Sequence, residues 1–228
     1  MIIDGKRIAE EVYVQLPHKP LTLGILVGEK NPVIDSFVRI KERAAERLGV
    51  KLVREELPAG GGGEIDAEAV LAAIPPEKDV DGISPHPHVR PPVAEAIAEI
   101  LTRAGVQVFD AKSVVVGSGR LVGKPAAALL ADLGAHVTVM RKGDSLAALK
   151  DADIVILGAG EPGLVKPEHL KQGVVLIDAG TSEMGGKVAG DADPACAEIA
   201  SVFTPVPGGV GPIAVAMIFK NLFDLSAE

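Results

Sequence analysis

Cysteine is almost missing from this chain: Cys196 is the single one in 228 residues. An internal disulfide is therefore excluded, and the composition suits a reducing cytoplasm. Cys196 lies in Asp193-Pro194-Ala195-Cys196-Ala197 with no histidine nearby to activate it, so it reads as structural. No apolar run reaches the roughly 20 residues of a membrane span, and residues 1–6 lack the basic start and apolar core of a signal peptide. No sustained basic block is present, and with a net charge of −8 nucleic-acid binding is not expected. His86 and His88 form a Pro-His-Pro-His run without companions at ligand spacing, so no metal is expected. The partners expected are small molecules and further copies of the chain.

What is present is a 47% hydrophobic chain of mean hydropathy +0.30, enough for one good core or two modest ones. Residues 21–28 read as a buried strand ending in a glycine turn, 33–49 as a helix closed by glycine, and 51–55 as a second strand. Gly60 to Gly63 reads as a flexible turn. Residues 65–74 resume helical spacing until Pro75-Pro76 stops it, and Pro91-Pro92 opens a helix through Leu101 and Arg103. From Ser113 the texture changes: residues 113–116, 136–139, 154–157 and 174–177 are Val/Ile-rich runs alternating with helical stretches. Four parallel strands buried on both faces follow from that βαβ pattern. The expected fold is α/β in two domains with the boundary near 109–112, and the helix at 213–225 returns to the first domain.

Residues 117–123, Gly117-Ser118-Gly119-Arg120-Leu121-Val122-Gly123, follow a strand directly and lead into the helical stretch 125–133. Glycines at a strand-to-helix turn let the backbone approach a pyrophosphate, which the helix N-terminus attracts. The spacing is one residue longer than the common fingerprint, and a plain tight turn is the other reading. About 20 residues on, where an acid selects the ribose hydroxyl of NAD, stand Arg141 and Lys142. Two cations there suit the 2′-phosphate of NADP; a solvated basic turn is the alternative.

Phe37 and Lys41 lie four apart on one helical face, where a ring supports a flat ligand and a lysine supplies a proton or a charge. Taken alone they read as a core residue and a surface charge. Asp79 and Asp81 likewise read as turn residues. The stretch 204–212, Thr204-Pro205-Val206-Pro207-Gly208-Gly209-Val210-Gly211-Pro212, holds three prolines and three glycines in nine residues. It is either a rigid connector or a loop whose bare backbone lies against a ligand.

Together these residues resemble the bifunctional methylenetetrahydrofolate dehydrogenase/methenyltetrahydrofolate cyclohydrolase (FolD) family over nearly the whole chain. The resemblance rests on the 204–212 loop, Val122-Gly123-Lys124-Pro125, and residues 152–156, 177–180 and 189–193. In the first half it rests on Asn31-Pro32, Ser36-Phe37-Val38, Lys41 and residues 70–82. It implies a folate domain at 1–110, an NADP-binding Rossmann-like domain at 111–212 and a returning helix at 213–228, working as a cytoplasmic homodimer. It implies further that Lys41, Asp81 and Phe37 are catalytic and touch the folate together with Pro207, Gly208, Gly209 and Val210. The cofactor would be held by Gly117, Ser118, Gly119, Arg120, Val122, Gly123, Arg141, Lys142, Gly160 and Thr181.

The departures from the family pattern fall mainly on the folate side. Phe37 stands where the family has Tyr, so the ring is kept and its hydroxyl lost. The family's Val-Gln-Leu-Pro-Leu-Pro strand has no clear counterpart, and the chain is shorter, with a deletion between Gly60 and Asp81. A second alignment sets His86 in the place of that Gln, but matches fewer residues. Pro91-Pro92-Val93 replaces a Pro-Cys-Thr-Pro turn, Ser118 an Arg, Arg141-Lys142 a His-Ser pair and Ala214 a Thr. Hydrolysis leans on the lost hydroxyl and Gln, whereas hydride transfer requires mainly positioning. A dehydrogenase with weak or altered cyclohydrolase activity is expected; the alternatives are a dehydrogenase for another reduced pterin or a silent pterin- or nucleotide-binding protein.

Overall fold

The structure is a computed structural model that describes residues 1–28, 32–57, 66–185 and 187–227; the expected turn at 60–63 and Asn31 lie outside them. In chain order α1 (Gly5–Gln15) precedes β1 (Thr22–Val27), α2 (Pro32–Leu48), β2 (Lys51–Glu56), α3 (Ala67–Ala72) and α4 (Pro92–Arg103). There follow β3 (Lys112–Val116), α5 (Gly123–Asp132), β4 (His136–Met140), β5 (Ile154–Leu157) and β6 (Val175–Asp178). The chain ends with the hairpin β7 (Ser182–Met184) and β8 (Lys187–Ala189), the short β9 (Val202–Phe203) and α6 (Val210–Leu225). Two compact units result: Met1–Ala9 with Val93–Ala214, and Glu10–Pro92 with Val215–Glu228. The chain passes from one to the other within α1, at the start of α4 and within α6. That division places residues 1–9 and 93–110 with β3 and residues 215–228 with residues 10–92, whereas the sequence reading divides the chain after residues 110 and 212.

The first unit is built on a parallel sheet in the order β4-β3-β5-β6-β9. All four strands expected from the Val/Ile runs form. β4, at the edge of the sheet, is exposed at three of its five residues and is not buried on both faces as expected, whereas β5 and β6 are buried at every position. Apolar residues on both faces leave such a strand no solvent side, which is why its run is continuous rather than alternating. The fifth strand, β9, has two residues, and the chain start lies along it: Ile3 N–H donates to Phe203 O at 2.9 Å and Phe203 N–H to Met1 O at 2.9 Å. Cys196 is fully buried in the core of this unit beside Val165 and Leu170, and burial pushes its thiol up to about 11. Its structural reading follows from that environment.

The second unit contains a parallel pair, β1 with β2, in the register Thr22↔Lys51 to Val27↔Glu56. Here α1 and α6 meet through Tyr13 and Phe219, whose rings are 6.4 Å apart and inclined at 67°. The Arg47 guanidinium sits 5.2 Å over the Tyr13 ring. Two differences from the sequence reading concern helices. α1 was not foreseen, although Asp4 accepts from Arg7 N–H at 3.1 Å as a cap and Ile8, Ala9, Val12 and Tyr13 form its buried stripe. α6 starts at Val210 rather than at 213, with Pro212 in its first turn, where the missing N–H has no partner to lose.

Candidate active site

Parallel register brings the cofactor candidates of the first unit onto one sheet edge. Val116 pairs with Met140 and with Leu157, and Leu157 pairs with Asp178, so β3, β4, β5 and β6 all end there. Past those ends lie residues 117–123, Arg141-Lys142, Gly158 to Gly160 and Thr181. In parallel α/β sheets this carboxyl edge is where ligands bind. Gly117 has φ +104, and a Cβ on it would stand 2.4 Å from Gly158 O. No other residue fits that approach. Gly117 N–H donates to Met140 O at 2.9 Å and Lys124 N–H to Gly119 O at 3.0 Å, closing the turn over the start of α5.

The N-cap of α5 is Val122, whose side chain makes no capping hydrogen bond. The first amides of α5 therefore lack the side-chain acceptor that a Ser or Asp would provide, and the helix dipole there favours an anion. Ser118 and Gly119 are exposed, and Arg120 is half-buried. Arg141 and Lys142 are both exposed in a turn closed by Arg141 N–H to Asp144 Oδ2 at 2.8 Å. The glycine turn, the helix start behind it and two cations beside it fit a phosphorylated nucleotide. Gly160, at φ +71, accepts from Ser182 Oγ at 2.9 Å, and Thr181 is exposed beyond β6.

The 204–212 stretch is anchored at both ends. Thr204 is fully buried; its Oγ1 accepts from Asp178 N–H at 2.7 Å and donates to Asp178 O at 3.2 Å. Gly5 N–H donates to Gly208 O at 2.9 Å and Gly209 N–H to Pro205 O at 2.7 Å, with a cis bond between Val206 and Pro207. Of the folate candidates here, Val210 is 3% exposed and opens α6, so its side chain is core. Pro207 and Gly208 carry the loop's surface: Pro207 is exposed and Gly208 half-buried.

In the second unit Phe37 and Lys41 lie one turn apart on α2, both half-buried. Lys41 Nζ has no ion-pair or hydrogen-bond partner among the described residues. The two aspartates of residues 79–81 part company. Asp79 is 2% exposed and accepts from Ile83 N–H at 2.8 Å and Ser84 N–H at 2.7 Å. Its carboxylate braces the turn from within. Asp81, half-buried, has no such partner among the described residues and leaves a carboxylate available to a ligand. Both are turn residues as read, since Gly82 N–H donates to Asp79 O at 3.3 Å and closes a turn through Asp81, but only the Asp79 side chain is spent on holding it. Sequence reasoning passed over Asn221, whose Nδ2 donates to Val80 O, next to Asp81, at 2.9 Å and to Arg90 O at 3.0 Å. A lone amide in a mostly apolar helix was the available signal. His86 and His88 are exposed, and among the described residues no group of three or more His, Cys, Asp or Glu could hold a metal ion.

Residues 91–228 match the family described as "Tetrahydrofolate dehydrogenase/cyclohydrolase, NAD(P)-binding domain". The chain belongs to the tetrahydrofolate dehydrogenase/cyclohydrolase family. Within that family it is 34% identical to the bifunctional protein FolD of Halothermothrix orenii over 272 aligned positions, spanning 96% of this chain and 95% of the relative. Since 96% of 228 is about 219, roughly 50 positions of that alignment carry no residue of this chain. The shortening relative to this family member is internal. Among solved structures, the Trypanosoma brucei methylenetetrahydrofolate dehydrogenase-cyclohydrolase, complexed with NADP cofactor and inhibitor, matches with a TM-score of 0.90 at 30% identity, covering 100% of this chain and 97% of that one. The Campylobacter jejuni enzyme matches with a TM-score of 0.89 at 25% identity, covering 100% and 98%.

Proposed function

We propose that this member of the family is an NADP-dependent methylenetetrahydrofolate dehydrogenase with weak cyclohydrolase activity, working as a cytoplasmic homodimer. The observation that carries it is the glycine turn between β3 and α5, inside the matched NAD(P)-binding domain and beside Arg141 and Lys142. When bound, NADP supplies a hydride acceptor for the one-carbon bridge of 5,10-methylenetetrahydrofolate, which becomes the methenyl cation.

In this reading the unit with β3 is the nucleotide domain and residues 1–110 supply most of the folate domain. The backbone of Gly117, Ser118, Gly119 and Arg120 and the α5 start at Val122 and Gly123 hold the pyrophosphate. Arg141 and Lys142 hold the 2′-phosphate, with Gly160 and Thr181 completing the cofactor site. Phe37 supports the pterin ring, and the Asp81 carboxylate accepts from its N–H edge. Lys41 Nζ sits by the bridge as a proton carrier and positive charge. Hydrolysis of the methenyl cation to 10-formyltetrahydrofolate requires an oriented water. Phe37 offers no hydroxyl to hold it, so that step is the slower one.

The decisive assay mixes purified protein with 5,10-methylenetetrahydrofolate and NADP or NAD, and follows reduced nicotinamide and methenyl absorbance separately. Accumulating methenyl product with NADP is the expected result. No reduction of either nucleotide would leave a silent binding protein, and the proposal would fall.

A further inference from the structure

We propose that Asp191 is a positioning residue for cofactor binding, fixing the turn after β5 on which the glycine turn after β3 is seated. The inference rests on the reading of residues 117–123 as the nucleotide turn. Asp191 is fully buried, in the connection that follows β8, far in sequence from the residues it organises. Its Oδ2 accepts from Ala159 N–H at 2.6 Å and Gly160 N–H at 3.1 Å, and its Oδ1 from Glu161 N–H at 2.7 Å. Three successive amides converge on one carboxylate, the arrangement by which a backbone nest binds an anion. Here the anion is built in. Among the described residues no cation accompanies Asp191, so these amides carry the compensation for burying its charge.

The turn so held is the floor of the nucleotide turn. Gly158 N–H donates to Val116 O at 2.9 Å, and Gly117, the next residue along, lies so close that a Cβ on it would be 2.4 Å from Gly158 O. On its other side Gly158 meets the N-cap of α5: a Cβ on Gly158 would stand 2.3 Å from Val122 Cγ1. Moving residues 158–161 therefore moves both ends of the 117–123 turn. Asp191 itself is fixed by its surroundings. Gly180 leaves room for it, since a Cβ there would fall 2.3 Å from its Cγ, and Val165 N–H donates to Asp191 O at 2.9 Å. A second buried carboxylate, Asp178, holds the same segment in place by accepting from Ala192 N–H at 2.8 Å.

Asp191→Asn keeps the volume but has one acceptor oxygen for three donors and turns an NH₂ toward amides. Asp193→Asn is the control: Asp193 caps a short helical turn through Ala195 N–H at 2.9 Å in the same segment and touches neither turn. The first readout is amide hydrogen exchange on the cofactor-free protein. In Asp191→Asn, protection is expected to fall at residues 159–161 and also at Gly158 and Gly117, whereas Asp193→Asn leaves those amides unchanged. The second is NADP affinity by fluorescence titration, with Kd expected to rise at least tenfold in Asp191→Asn and less than twofold in Asp193→Asn. Unchanged exchange at Gly158 and Gly117, or an unchanged Kd in a folded Asp191→Asn protein, overturns the inference. If the wild-type protein itself fails to bind NADP, the functional reading falls, and the exchange data still decide whether Asp191 holds the two turns.

Discussion

At the carboxyl end of β6, Asp178 is 2% exposed, and it accepts from Gly180 N–H at 2.9 Å as well as from Ala192. Burial pushes its carboxyl from an ordinary 3.8 up to about 6; the charge of Asp191 adds to the rise, and the amide hydrogen bonds oppose it. Between those two values the folded protein keeps the proton that the unfolded chain has released. Stability therefore falls as pH rises from about 4 to about 6, by at most about 3 kcal/mol from this group. Asp178→Asn has no proton to lose. Urea unfolding at pH 4.5 and 7 is expected to show wild type losing ground to the variant at the higher pH; a pH-independent gap between them would refute the assignment.

At the same sheet edge, Arg141 and Lys142 are exposed one and two residues past the end of β4, where charge without burial discriminates between cofactors by long-range attraction and direct contact. Replacing both with Ala is expected to raise KM for NADP about tenfold and to leave KM for NAD within about twofold, a contrast of roughly 1.4 kcal/mol or less. Steady-state kinetics with each nucleotide measures it, and equal effects on the two would remove the 2′-phosphate role.

Among the elements, α6 is apolar along most of its length, yet it carries Asn221, 2% exposed, on the side where the 79–92 segment passes. Of the two carbonyls that Asn221 satisfies, Val80 O directly precedes Asp81 and Arg90 O belongs to the backbone of Val89 to Pro91 that packs against Gly82, which has φ +59. Asn221→Leu would leave two carbonyls without their donor, which costs about 1–3 kcal/mol. The expected outcome is a folded variant of lower denaturation midpoint whose KM for folate rises while Kd for NADP stays within twofold. A loss of stability with folate kinetics untouched would make the clamp structural only. The sequence revealed β3, β5 and β6 because burial on both faces leaves a continuous run, whereas β4, half open to solvent at the sheet edge, was found by its β-branched residues alone. It concealed β9, whose two residues carry no period, and Asn221, whose partners stand 141 and 131 residues away.

For the whole molecule, the internal shortening and the two-unit division bear on different halves of the proposed chemistry. The matched residues 91–228 contain every cofactor candidate, and the folate candidates Phe37, Lys41 and Asp81 lie before them. Dehydrogenation outlasting hydrolysis is the pattern expected from a kept cofactor half and an altered folate half. Association is tested separately: sedimentation is expected to give twice the 23.5 kDa chain mass, and a monomer at micromolar concentration would withdraw the homodimer. Among the described residues no helix is long and apolar enough to cross a membrane.

By itself the sequence determined the α/β class, the order of the principal strands and the glycine turn, because hydrophobic period and glycine placement are local properties of the chain. It also determined the family, through motifs spread over nearly the whole length. Tertiary structure alone decided which aspartate of the 79–82 turn spends its carboxylate on backbone amides and which keeps it available. It likewise decided that Asp191 gathers the amides of residues 159–161 and that Thr204 ties its loop to β6. The physical reason is common to all three: a carboxylate or hydroxyl carries no mark of its partner in the sequence, and its role is set by whichever amides the folded backbone points at it.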